Sequence, residues 1–212
     1  HIIDQIDFSV LIANPKWVVG YSDITVLHAH LNKLGIATLH ATMPINFSSN
    51  TKDSLESLRA ALFGRQKNIE APPHRLNIFG NVRGKIVGGN LSVIYSLLGS
   101  NSDIETEGKI LFLEDLDEYL YHIDRMIINL KRNYKFENLK GMIIGSMTQM
   151  HDNKIPFGKD AEEIILTHIR EYDFPICFGF PSGHLADNKT IKFGVETVLE
   201  INENGVNLLE FL

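Results

Sequence analysis

Serine hydroxyls attack acyl carbons when a tight turn presents them and a base takes their proton, and one serine of this chain has such a setting. Ser22 lies in Trp17-Val18-Val19-Gly20-Tyr21-Ser22-Asp23-Ile24-Thr25, where a short apolar run gives way to a helical pattern. Gly20 allows the sharp strand-to-helix turn of a nucleophile elbow, and the next amide, that of Asp23, would face a developing oxyanion. The same residues also fit a helix cap, because a serine ahead of an apolar helix, with polar Thr25 three residues later, is an N-cap pattern. Local sequence leaves both open.

A nucleophilic serine needs a base, and the nine histidines differ in context. His28 and His168 fall on apolar helix faces, where a hydrogen-bonded core histidine is the expectation, and His40 also lies near a regular element. His30, two residues from His28, points to another helix face, which argues against a metal pair. His1, His74, His122 and His151 have no supporting context. His184 stands apart in FGFPSGHLADN, a Gly- and Pro-rich loop just past a buried strand, where α/β sheets bind ligands. For the carboxylate that orients such a base, ILFLEDLDEYLYHIDRM offers Glu114, Asp115, Asp117 and Glu118. Asp117 and Glu118 are expected to cap the following helix and fill its first turn. Glu114 directly follows a buried strand and needs a partner there to offset its desolvation, for which a histidine N–H is suited.

The elements that must place these residues read as α/β. Val18-Val19 closes a strand; Ile24, Leu27, His28, Leu31 and Leu34 recur at helical spacing up to Gly35; Ala37–Leu39 is a strand, and Leu55, Leu58 and Leu62 mark a helix ended by Gly64. Residues 65–84, RQKNIEAPPHRLNIFGNVRG, read as a linker between two parts, 1–64 and 85–212. Beyond it lie the strand Lys85–Val87, a helix from Leu91 to Leu98 capped by Asn90, and the strand Lys109–Leu113. A helix from about Asp117 to Leu130, the strand Met142–Ile144, a helix bearing Ala161, Ile164, Ile165, His168 and Ile169, and the strand Ile176–Phe178 follow. Apolar strands separated by helices imply a buried, mainly parallel sheet. Thr197–Asn202 and Val206–Phe211 around Asn204-Gly205 imply a terminal β-hairpin.

Composition narrows the function classes. The 212 residues, 44% hydrophobic and 22% charged, are those of a globular chain, and a net charge of −6 without a Lys/Arg run disfavours nucleic acid as a partner. Cys177, the single cysteine, sits in an apolar run and reads as a buried, inert thiol. No apolar run reaches the ~20 residues of a membrane span. The chain opens on His1 without a start signal, so a fragment with an incomplete first domain is expected.

With these residues in view, the chain resembles the LD-carboxypeptidases of serine peptidase family S66, which include muropeptide LD-carboxypeptidases and microcin-immunity peptidases. The blocks NPKWVVGYSDITVLHAHL, GKIVGGNLS, ILFLEDLDEYLYHIDRM and GFPSGH carry the likeness, which runs from about Ile12 to Val198. The resemblance places the family's nucleophile on Ser22, its glutamate on Glu114 and its histidine on His184, with the Asp23 N–H as oxyanion donor. A further oxyanion donor of the family, in a Gly-rich turn ahead of the position of His1, is matched by nothing here. It implies a serine-bearing N-terminal α/β domain, incomplete in this chain, and a C-terminal α/β domain carrying Glu and His. It also implies release of a C-terminal D-amino acid, D-Ala, from muropeptides in peptidoglycan recycling, with no metal or cofactor. A homodimer, a cytoplasmic location and a muropeptide-like peptide substrate are expected with it. A microcin-immunity-like hydrolase of peptidyl nucleotides and a catalytically silent binding protein on the same fold are the alternatives. Arg83, Arg125 and the turn Gly88–Asn90 are candidates for the substrate's terminal carboxylate.

Overall fold

The computed structural model describes residues 2–65 and 68–210. After α1 (Ser9–Ala13), the strand β1 (Val19–Gly20) turns through a 3-10 segment, Ser22–Ile24, into α2 (Thr25–Lys33), and β2 (Thr38–His40) then runs parallel to β1. Helix α3 (Lys52–Leu62), capped by the Thr51 hydroxyl, precedes β3 (Ile69–Ala71) and the long β4 (Gly80–Asn90). Next come α4 (Leu91–Leu97), β5 (Ile110–Leu116), α5 (Leu120–Arg132), β6 (Gly141–Thr148), α6 (Ala161–Ile169) and β7 (Ile176–Cys177). Short β8 (Ile191–Phe193) and the hairpin β9 (Glu196–Asn202) and β10 (Gly205–Glu210) complete the described chain. Among the described residues no helix is long and apolar enough to cross a membrane.

Two sheets result. The smaller has the order β1-β2-β8, the larger β3-β10-β9-β4-β5-β6-β7. Strands β4 to β7 are parallel, as their apolar runs separated by helices imply, while β9, β10 and β3 add an antiparallel edge. Alternation splits β5 between two cores: Leu111 and Leu113 meet the α4, α5 and α6 side chains Ile94, Ile123, Ile127 and Ile165. Ile110 and Phe112 meet Ile86, Phe180, Ile191 and Phe193 on the opposite face. Asn90 caps α4, its side chain accepting from the Val93 amide at 3.1 Å.

Some elements differ from expectation. The segment 65–84 carries β3 and the first part of β4, paired into the larger sheet; a three-residue strand next to Pro72-Pro73 has too little pattern to read. β8, far along the chain, pairs with β2, so residues of 1–64 and 85–212 share the smaller sheet. Helix α5 starts at Leu120 with no acidic residue in its first turn, so Asp117 and Glu118 do not cap it. Instead the Asp117 amide bonds Thr148 O at 3.0 Å and Tyr119 bridges His151, which prolongs the pairing of β5 with β6. The hairpin turns through Glu203-Asn204, and Gly205 is needed for a different reason: a Cβ there would lie 2.4 Å from the Ala71 carbonyl oxygen of β3. Phe211, at the end of the expected hairpin, lies outside the described residues.

Candidate active site

The turn after β1 sets Ser22 in the left-handed region, at φ 60°. A non-glycine residue holds that conformation at a cost of about 1–2 kcal/mol, so the surroundings must fix it. Gly20 makes the turn possible by close approach, since a Cβ there would fall 2.6 Å from Ile24 Cγ1. From α2, buried His28 donates Nε2–H to the Gly20 carbonyl at 2.9 Å, and the Ala41 amide donates to the same oxygen at 3.0 Å. Burial, only partly offset by that hydrogen bond, pushes His28 down to about 4, so the ring is neutral. The Ser22 side chain caps neither the 3-10 turn nor α2, whose preceding residues are Tyr21 and Ile24 without side-chain cap bonds. The cap alternative is thereby set aside. The Asp23 N–H lies at the open amino end of the 3-10 turn, where backbone donors have no partner within the helix.

Glu114 lies within β5, which runs on to Leu116 instead of ending at Leu113; it is fully buried and accepts a hydrogen bond from His184 Nδ1 to its Oε2 at 2.7 Å. A ring that donates from Nδ1 keeps Nε2 bare as a base. Burial lowers the His184 pKa, but the Glu114 hydrogen bond, the Glu114 charge and the Asp115 charge outweigh it, and the net shift is upward. The His184 loop is tied down: the Asn188 side chain accepts from the Gly183 amide at 3.0 Å, and the Ser146 amide of β6 donates to Ser182 O at 3.0 Å. Tyr21, next to Ser22, meets the His184 ring edge-on with 4.7 Å between centroids. That contact brings the serine turn and the His184–Glu114 pair to one place. No hydrogen bond joins Ser22 Oγ to His184 among the described residues; such bonds often tighten only with substrate. Neutral His40, its pKa driven well down by burial, lies beneath, with Nδ1 3.2 Å from Ser182 Oγ.

The other carboxylates have different partners. Asp115 accepts from Asn90 Nδ2 at 2.8 Å and from the Ser92 amide at 2.9 Å, and burial raises it to about 6 against those bonds. Asp117 pairs with His151 at 2.5 Å and Glu118 with His122 at 2.6 Å, contexts that their sequence neighbours did not disclose. Arg83 pairs with Glu196 near the far end of β4, seven residues before Asn90, the register partner of Glu114. At ~3.3 Å per residue that is roughly 23 Å of strand, which removes Arg83 as a carboxylate anchor. Arg125 is exposed and stacks over the Tyr121 ring at 4.9 Å. Gly88–Asn90, expected as a turn, is the end of β4 and a joint: a Cβ on Gly89 would lie 2.4 Å from Thr25 Oγ1, and that hydroxyl accepts from the Asn90 amide at 2.9 Å. An open cleft lined by Asp53, Glu56, Arg65 and Lys189 among others contains none of Ser22, Glu114 or His184. His28 is the hydrogen-bonded core histidine expected from its apolar helix face, though its partner, the Gly20 carbonyl, was not legible; Tyr21 and Asn188 were missed as supports, because partners distant in sequence show only on folding.

The sequence and fold correspond to a known family. Residues 83–199 match the LD-carboxypeptidase C-terminal domain and residues 1–41 the LD-carboxypeptidase N-terminal domain, and the chain belongs to the LD-carboxypeptidase family, peptidase S66. Among its relatives, a probable murein peptide carboxypeptidase of Bacillus subtilis is 30% identical over 93% of this chain and 64% of its own length. The murein tetrapeptide carboxypeptidase of Pseudomonas aeruginosa is 26% identical over 90% of this chain and 64% of its own, and the microcin C7 self-immunity protein MccF of Escherichia coli is 26% identical over 99% and 70%. The chain thus spans less than two thirds of the first two relatives. Among solved structures, muramoyltetrapeptide carboxypeptidase from Oxalobacter formigenes superposes with a TM-score of 0.87 at 22% identity, covering 97% of this chain and 72% of that one. MccF with aspartyl sulfamoyl adenosine gives a TM-score of 0.84 at 21% identity, covering 99% and 71%; both show the shared fold.

Proposed function

We propose that this chain forms the catalytic part of a serine-type LD-carboxypeptidase that releases a C-terminal D-amino acid, D-Ala, from muropeptides in peptidoglycan recycling. The observation that carries the proposal is the 2.7 Å His184–Glu114 pair set against the turn that holds Ser22 at φ 60°. In the proposed sequence His184 Nε2 takes the Ser22 proton as Oγ attacks the scissile carbonyl. The tetrahedral oxyanion accepts from the Asp23 amide, and the protonated imidazole, balanced by Glu114, gives its proton to the departing D-amino acid amine. Water, activated by the same imidazole, then hydrolyses the acyl-serine. The names of the murein peptide carboxypeptidase relatives support the substrate class.

The test offers the protein that contains this chain a muropeptide ending in an L-residue–D-Ala bond and, separately, an aminoacyl sulfamoyl adenosine. Free D-Ala from the first, absent with Ser22→Ala, is the expected result. Cleavage of the second alone would transfer the chain to the microcin-immunity activity, and no reaction with either, or with a fluorophosphonate, would make it a silent binder.

A further inference from the structure

Strand β5 delivers Glu114 at a break in its register with β6. Leu113 stands opposite Ile144 but Asp115 stands opposite Met147, so Gly145 and Ser146 together face the one residue Glu114. Such a bulge re-aims side chains, and bulges recur beside active sites. Two buried polar atoms at this bulge lack hydrogen-bond partners: Glu114 Oε1, an acceptor, and Ser146 Oγ, whose proton can rotate to donate. Both side chains approach Gly183. A Cβ placed on Gly183 would lie 2.5 Å from Ser146 Oγ and 2.8 Å from Glu114 Oε2, so both groups converge on the bare Cα of the residue preceding His184. Around the pair, Asp115 bonds Asn90, His40 bonds Ser182 through Nδ1 while its Nε2 has no partner, and Tyr21 meets the His184 ring.

We propose that Ser146 is a positioning residue whose hydroxyl turns to donate to the Glu114 carboxylate and fixes it against His184. The proposal rests on the catalytic reading of Glu114 and His184 given above. A buried carboxylate with one neutral donor and one imidazole partner keeps its plane and its charge; with the donor removed it is held at one oxygen only. Gly183 is what lets the two meet, since any side chain there would wedge between them.

The experiment compares wild type, Ser146→Ala and Ser146→Thr in two measurements: the NMR titration of the His184 ring, and the pH profile of kcat/KM on the D-Ala muropeptide. Removing a donor beside an anion leaves the site more negative, so the His184–Glu114 pair should hold its proton to higher pH. In Ser146→Ala the His184 midpoint and the acid limb are expected to rise together by roughly half a pH unit or more. At the same time kcat should drop several-fold at unchanged KM, and the hydroxyl of Ser146→Thr should restore both. An alanine variant that titrates and turns over as wild type does would overturn the proposal. So would equal impairment of both variants with His184 unmoved, which marks mere packing. Because the titration needs no substrate, a wild type without D-Ala release counts against the proposed function, while the Ser146–Glu114 link is still decided by the His184 midpoint.

Discussion

Ser22 keeps a left-handed backbone that a glycine would adopt without strain, and strain of this kind concentrates where it serves function. Ser22→Gly is therefore expected to abolish turnover yet raise stability by up to about 1 kcal/mol, read from urea unfolding; a loss of stability instead would mean that the hydroxyl has a structural job. The carboxylates separate as sharply. Glu114→Gln should reduce kcat by orders of magnitude, because an amide can present the wrong partner to His184 Nδ1, whereas Asp117→Asn, at an exposed pair with His151, should leave kcat nearly intact. A larger loss at Asp117 would reassign the carboxylate. Since the proposed base must be neutral and its pKa is raised by Glu114, the acid limb of kcat/KM should lie above the ordinary histidine value of ~6.5 and fall in Glu114→Gln. The turn after β1 and the loop after β7 that carry Ser22 and His184 were legible, because apolar runs and Gly-rich turns locate strand ends, whereas Glu114 lies inside β5, which runs on to Leu116. Their supports were not: nothing near His28 or Asn188 in sequence tells that one holds the Gly20 carbonyl and the other the Gly183 amide.

At the scale of elements, the site hangs on backbone approaches that exclude side chains. Gly183, at φ 120°, lies where an added Cβ would strike Ser146 Oγ, Glu114 Oε2 and Glu114 Cβ. Gly183→Ala is expected to cost about 1–3 kcal/mol of stability and most of the activity. Gly99→Ala, at φ 76° after α4 with open space around it, meets only backbone strain and should cost ~1 kcal/mol without touching kcat; similar kcat losses in both would show that the contact at Gly183 is not what matters. The parallel order of β4 to β7 followed from period and apolarity. The start of α5 did not, because Asp117 and Glu118 look like first-turn residues while pairing with Thr148 and His151 keeps that stretch out of the helix. Pairing between remote segments likewise decided β3 and β8.

For the whole molecule, the two neutral histidines beneath the site set an acid sensitivity. His28 is lowered to about 4 and His40 well below the ordinary value, both by burial. The unfolded chain takes up those protons below ~6.5 while the folded chain refuses them, so their contribution is present above that pH and is lost as pH falls. Asp115, raised to about 6 by burial, and His184, raised by Glu114, act in the opposite sense. The two deep histidines outweigh them, and the urea midpoint should be lower at pH 5 than at pH 7.5; a higher one would show that one of these rings is charged in the folded state. The central claim, that Ser22 is a nucleophile activated by the His184–Glu114 pair, is tested most directly by mapping the adduct of a fluorophosphonate on the protein by peptide mass spectrometry. One adduct is expected, on Ser22, lost in Ser22→Ala and strongly slowed in His184→Ala. Labelling at another serine, or labelling of Ser22 at an unchanged rate without His184, would contradict it.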